Sequence, residues 1–162
     1  MSPQAIFILQ LVLSTLVFAL MARWVCGPWL SNKTQNDALF WLTLPHAFRH
    51  MGMVFLVPGV VAQPLPENFA IPAAYGDLLT GILAILTLIL LKTRWKGVLA
   101  IVWLFNVVGT VDLLNALRHM EVVADLGAAW FIPSLFVPLL LVTHFMIFER
   151  LLIANRWGRT TD

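Results

Sequence analysis

Hydrophobic positions along this chain gather into five long runs, at about residues 3–22, 38–61, 73–91, 97–117 and 126–148, separated by short polar or turn-forming stretches. Each run approaches the ~20 apolar residues a helix needs to cross a ~30 Å hydrocarbon core. Such runs show neither the alternation of a half-buried strand nor the single apolar stripe of a surface helix. The pattern predicts an all-α protein, one integral membrane domain over residues 1–162 built as a bundle of five transmembrane helices. The first run lacks a basic amino end and is longer than the ~7–15-residue apolar core of a signal peptide, so it is expected to stay as a span.

The connections refine this layout. The basic turn Lys92–Lys96 is too short for anything but antiparallel neighbours. Asp37, after a turn-rich stretch, is placed to cap the second helix. Residues 62–72 contain Pro64, Pro66 and Pro72 and are expected to form a stiff, extended strap. In the fifth run Pro133 and Pro138 each remove a backbone donor, which predicts a bend or local unwinding.

Charge orients the bundle. Of ten Lys and Arg residues, eight (Arg23, Lys33, Lys92, Arg94, Lys96, Arg150, Arg156 and Arg159) flank the runs on one face of a five-span layout. By the positive-inside bias that face is cytoplasmic, with the N-terminus out and the C-terminus in. Trp24, Trp29, Trp41, Trp95 and Trp157 fall at the same boundary and Trp130 at the opposite one, as amphipathic rings do at headgroup level.

Composition then narrows the function classes. With 60% hydrophobic and 11% charged residues, the chain is too apolar for a soluble domain. No basic stripe interleaved with aromatics lies outside the runs, which argues against nucleic acid as a partner. The basic flanks suit anionic lipid headgroups instead. Cys26 is the single cysteine, so neither an intrachain disulfide nor paired-thiol chemistry is available.

The candidate chemistry lies inside the runs. Ionisable residues in a span cost at least ~2.5–3.5 kcal/mol each on insertion scales and are functional-site candidates by default. His46, Arg49 and His50 recur at i, i+3 and i+4, which on an α-helix is one face. Arg49 cannot shed its proton and needs an anion; Asp77 in the third run and Asp112 in the fourth lie at a matching depth. Asn106 and Gly109 precede Asp112 at three-residue steps, and His144 in the fifth run lies at a depth like that of His46.

Several chemistries fail on residue type. The His46/His50 pair has no glutamate between, so the zinc-protease helix motif is absent, and there is neither a phosphate loop nor a nucleophile elbow. Three readings remain. In the first, a membrane pocket binds or acts on a hydrophobic small molecule, lipid or isoprenoid-like. There His46 or His50 is the candidate acid/base, Asp112 orients it, and Arg49, Asp77, Asn106 and His144 bind. In the second, the chain is an accessory or scaffold subunit of a larger membrane complex or a homo-oligomer. In the third, His46 or His50 with His144 ligates a haem or a metal. The pocket reading itself requires no metal and leaves the cofactor unknown. It predicts a cavity lined by the polar residues, floored by His46 and His144, with the 62–72 strap over its outer rim.

The runs Pro45–Arg49, Tyr75-Gly76-Asp77 and Asn106–Ala116 are similar to a group of bacterial multi-span membrane proteins. The resemblance implies a bacterial inner-membrane setting and attaches no activity.

Overall fold

In a computed structural model of the protein, residues 1–61 and 65–157 are described, and they are helical nearly throughout. Among them there is an isolated bridge between Pro58 and Val61 but no strand. Residues 62–64 of the expected strap and Arg159 of the basic tail lie outside the described residues, as do the side chains of Arg156 and Trp157. Four helical stretches are long and apolar enough to cross a membrane: Pro3–Ser31, Glu67–Lys92, Val98–Ala116 and Gly127–Ile153. The second apolar run of the sequence is not among them.

Helix α1 (Pro3–Met21) passes through one π turn (Ala22–Cys26) into the short α2 (Gly27–Ser31). Ser2 caps α1 by accepting from the Ala5 N–H, and Pro3 sits where no intrahelical donor is needed. Only Phe7 of α1 is buried. Its ring stands edge-on to Trp130 at 5.6 Å, and the Trp130 indole N–H donates to Gln10 Oε1 at 2.6 Å. The helix is thus fastened near the Trp130 end and otherwise presents a smooth apolar face.

Helix α3 (Gln35–Thr43) begins the second run. Its cap is Thr34 rather than Asp37: the Thr34 hydroxyl accepts from the Asp37 N–H at 3.2 Å and donates to the Asp37 carboxylate at 2.7 Å. Asp37 sits instead inside the first turn, where its charge complements the helix dipole. Pro45 cannot donate to the carbonyl one α-turn back, and from Leu44 to Leu56 the chain tightens into a 3-10 helix. Here the buried side chains are His46, Arg49, Gly52 and Phe55, a strict three-residue repeat that suits a helix of three residues per turn.

Helix α4 (Glu67–Lys92) starts six positions before the third run was expected to, taking up Pro72 in its second turn. Residues 67–72 are therefore helical and not an extended strap. The turn after α4 is tight, with Arg94 at φ 54°, and α5 (Val98–Ala116) returns beside α4 as its antiparallel neighbour. The fifth run opens with a 3-10 turn (Gly127–Trp130) and a π turn (Ile132–Phe136) around Pro133, and regular α6 (Val137–Trp157) follows. The unwinding falls where the prolines predict it.

Two apolar clusters stack along the bundle. One, at the end carrying Lys33, Lys92 and Arg94, packs Leu39, Leu42, Leu91, Val102, Phe105 and Ile147. The other, at the Trp130 end, packs Phe55, Val61, Leu65, Phe69, Val122 and Leu126. Aromatics mark the basic end: Trp24, Trp29, Trp41 and Trp95 are all exposed, and Lys33 lies over the Trp29 ring at 4.9 Å. Buried polar side chains form a layer between the clusters, among them His46, Arg49, Asp77, Thr80, Asn106 and His144.

Candidate functional site

The 3-10 segment delivers Arg49 into the polar layer. Its Nε–H donates to Asp77 Oδ1 of α4 at 2.7 Å, Nη1 donates to the Gly109 carbonyl of α5 at 3.0 Å, and Nη2 donates to Asp112 Oδ2. Both candidate counter-ions are used, so one guanidinium ties three elements together. The geometry depends on missing side chains. A Cβ at Gly52 would fall on the Asp77 carboxylate, and one at Gly76 would fall on that of Asp112. Gly81 serves the same end, since a Cβ there would approach the His50 backbone nitrogen to 3.1 Å and hold the 3-10 segment away from α4.

The Arg49 side chain is fully enclosed, whereas those of Asp77 and Asp112 keep 12% and 16% of their surface. What the triad presents to open space is therefore carboxylate oxygen and not guanidinium. A cavity of about 260 Å³ adjoins it between the 3-10 segment and the unwound start of the fifth run. Arg49 and Asp77 form its polar end, and Val60, Ala129, Ile132, Phe136 and Leu140 are among its apolar walls. A narrower chamber of about 40 Å³ touches Asp77 from the other side and reaches Asp112 and His119.

A second polar group lies deeper in the same layer. His46 Nε2 pairs with Thr143 Oγ1 at 2.9 Å, and His144 Nδ1 with Asn106 Oδ1 at 2.6 Å. Asn106 Nδ2 in turn donates to the His144 carbonyl at 3.2 Å. The two imidazoles are in contact, with centroids 4.1 Å apart and planes inclined by 50°. Rings in direct contact leave no slot for a porphyrin between them. Gly109 joins the two groups: its carbonyl takes Arg49, and its bare Cα faces the His144 ring.

Two expectations are corrected here. His50 does not share the face of His46 and Arg49; it is exposed, and its Nδ1–H donates locally to the Ala47 carbonyl at 2.9 Å. The α-helical i, i+4 relation failed because the segment is 3-10, in which only i+3 residues eclipse. The cavity, moreover, is lined by Arg49 and Asp77, while His46, His50, Asn106 and His144 are not among its lining residues. The histidine pair therefore does not form the floor of the cavity.

Sequence reasoning passed over Thr143 and Gly52 and gave Gly76 no role beyond its place in the Tyr75-Gly76-Asp77 run. A small residue adjacent to an ionisable one within an apolar run was the available signal: Gly76 precedes Asp77, and Gly52 follows Arg49 by one 3-10 turn. His119 was also passed over. It bonds Glu121 at 2.8 Å beyond the end of α5, where a backbone N–H and then the His119 ring hold the Glu121 carboxyl below its ordinary range.

Residues 6–152 match a family described as a domain of unknown function, DUF8737, and the chain belongs to that family. No curated protein and no solved structure matches it.

Proposed function

We propose that the protein is a five-span bacterial inner-membrane protein whose cavity binds a lipid or isoprenoid-like amphiphile through a donor head group. The observation that carries this reading is the apolar cavity of about 260 Å³ ending on the Arg49–Asp77 pair. Small-molecule sites are built this way, with apolar walls and a few convergent polar groups. Each guanidinium nitrogen of Arg49 already donates once, to two carboxylates and a carbonyl in all. The oxygens left facing the cavity accept, so they select a hydroxyl or ammonium head over a phosphate. Phe48 and Met51, both exposed, stand at the rim, which suits lateral entry from the bilayer.

The broken second segment is the fifth span in this reading. Nine α residues at ~1.5 Å and thirteen 3-10 residues at ~2.0 Å make a rod of about 40 Å, longer than the ~30 Å core. The basic end then faces the cytoplasm, the N-terminus lies outside, and the cavity belongs to the outer half. No imidazole in the spans reaches the cavity, so binding is favoured over acid–base catalysis.

Mass spectrometry of protein extracted into nanodiscs tests the proposal. The expected result is a co-purified amphiphile with a hydroxyl or amine head, lost in a cavity-filling Ala128→Trp variant that keeps its helical signal. An empty wild-type protein, or a ligand retained by Ala128→Trp, refutes binding in this cavity. A C-terminal reporter active only outside the cytoplasm refutes the orientation.

A further inference from the structure

We infer that the groove between α1 and α6 at the basic end of the bundle is a site for one phospholipid with a primary-ammonium head, phosphatidylethanolamine, separate from the amphiphile cavity. The groove encloses about 570 Å³. Ala19, Ala22 and Arg23 line one wall, and Val142, Phe145 and Glu149 line the other. It is an apolar trough that ends on two opposite charges.

The trough follows from how α1 is attached. Phe7 and Gln10 fasten that helix to Trp130 at the far end of the bundle, and Phe7 is its single buried residue. Toward the basic end Ala19 and Ala22 are too small to fill the space against α6. The π turn Ala22–Cys26 then interrupts the regular α surface where the groove ends, a feature that recurs at functional sites. From Thr15 to Arg23 the trough runs along eight residues of helix, about 12 Å, which suits the upper part of an acyl chain. Phe145 of the facing wall is 70% exposed, so the protein leaves this wall for lipid to cover.

Charge selects the head group. Arg23 and Glu149 stand on opposite walls of one groove, yet among the described residues neither takes part in an ion pair. A zwitterion satisfies both: its phosphate accepts from the Arg23 guanidinium, which suits that geometry, and its ammonium donates to the Glu149 carboxylate. An anionic glycerol head would serve Arg23 and leave Glu149 beside a phosphate. A choline head carries the positive charge but has no N–H to donate. Trp24 and Trp29, both exposed next to Arg23, mark this level as that of the head groups. In the orientation proposed above, the lipid belongs to the cytoplasmic leaflet.

Native mass spectrometry of delipidated protein tests this, with phosphatidylethanolamine, phosphatidylglycerol and phosphatidylcholine of the same acyl chains titrated separately. One phosphatidylethanolamine per chain should bind about tenfold more tightly than either other lipid, as one added hydrogen bond to a charged group gives. Glu149→Gln should remove the preference over phosphatidylglycerol, and Arg23→Gln should weaken all three. Ala19→Phe, which fills the trough and keeps both charges, should displace the lipid. All three positions are exposed, so the variants should keep the helical signal of the parent. Ala128→Trp, which closes the amphiphile cavity, should leave this lipid bound. Equal binding of the three lipids, a preference untouched by both charge changes, or retention in Ala19→Phe would overturn the inference. Loss in Ala128→Trp would assign the lipid to the cavity, and a dimer that buries the groove would assign it to a second copy of the chain; either result overturns the site.

Discussion

The two halves of the buried polar layer solve the same problem in opposite ways. Around Arg49 the guanidinium nitrogens have partners on two helices, Asp77 on α4 and Gly109 and Asp112 on α5, and two glycines let the carboxylates in. Around His46 and His144 each ring is anchored on one side and bare on the other. The triad is a closed unit that borders open space, and the histidine pair is an open unit with almost no space around it. Breaking a buried ion pair leaves an uncompensated charge, whereas changing one imidazole leaves a neutral neighbour.

The largest expected effect follows from that contrast. Arg49→Leu leaves two carboxylates facing each other in the spans and should destabilise the protein by about 3–5 kcal/mol, read by thermal unfolding in detergent. Asp112→Asn keeps the neutral Arg49–Asp77 pair and forfeits a charged hydrogen bond, so a smaller loss of about 1.5–3 kcal/mol is expected. Equal losses from the two changes would mean that Arg49 does not bridge.

Next come the glycines. Gly52→Ala and Gly76→Ala each push a Cβ into a carboxylate of the triad and should destabilise by about 1–3 kcal/mol, the range for overpacking a close-packed core. Unaltered melting of both variants would remove the steric argument for how the triad is assembled.

Asn106→Ala strips the His144 N–H of its acceptor and should destabilise by about 1–2 kcal/mol, the lower part of the range for orphaning one buried group. Melting of Asn106→Ala unchanged from the wild type would show that the Asn106–His144 bond does not hold this half of the layer together.

The smallest effect belongs to His50. Exposed and bonded only to its own turn, it should tolerate His50→Ala within about 0.5 kcal/mol and leave ligand uptake intact. A loss comparable to that of Asn106→Ala would show that the α-helical face read from the sequence exists after all.

Helical class was legible in the chain because apolar runs of this length admit few other structures in a membrane. So was the list of intramembrane polar residues, since each stands out against an apolar background. The unwinding at Pro133 was legible too, because the loss of a backbone donor acts locally. Tertiary structure alone decided the phase of the second segment. Pro45 permits a break, but the strict three-residue burial of His46, Arg49, Gly52 and Phe55 arises from packing against α4 across Gly81. A change from 3.6 to three residues per turn moves His50 outward and Arg49 onto both aspartates. It also decided which nitrogens of His46 and His144 are bare, because Thr143 and Asn106 lie 97 and 38 residues away along the chain. Local preference reaches about one helical turn, so partners brought together across the bundle are fixed only when the helices pack.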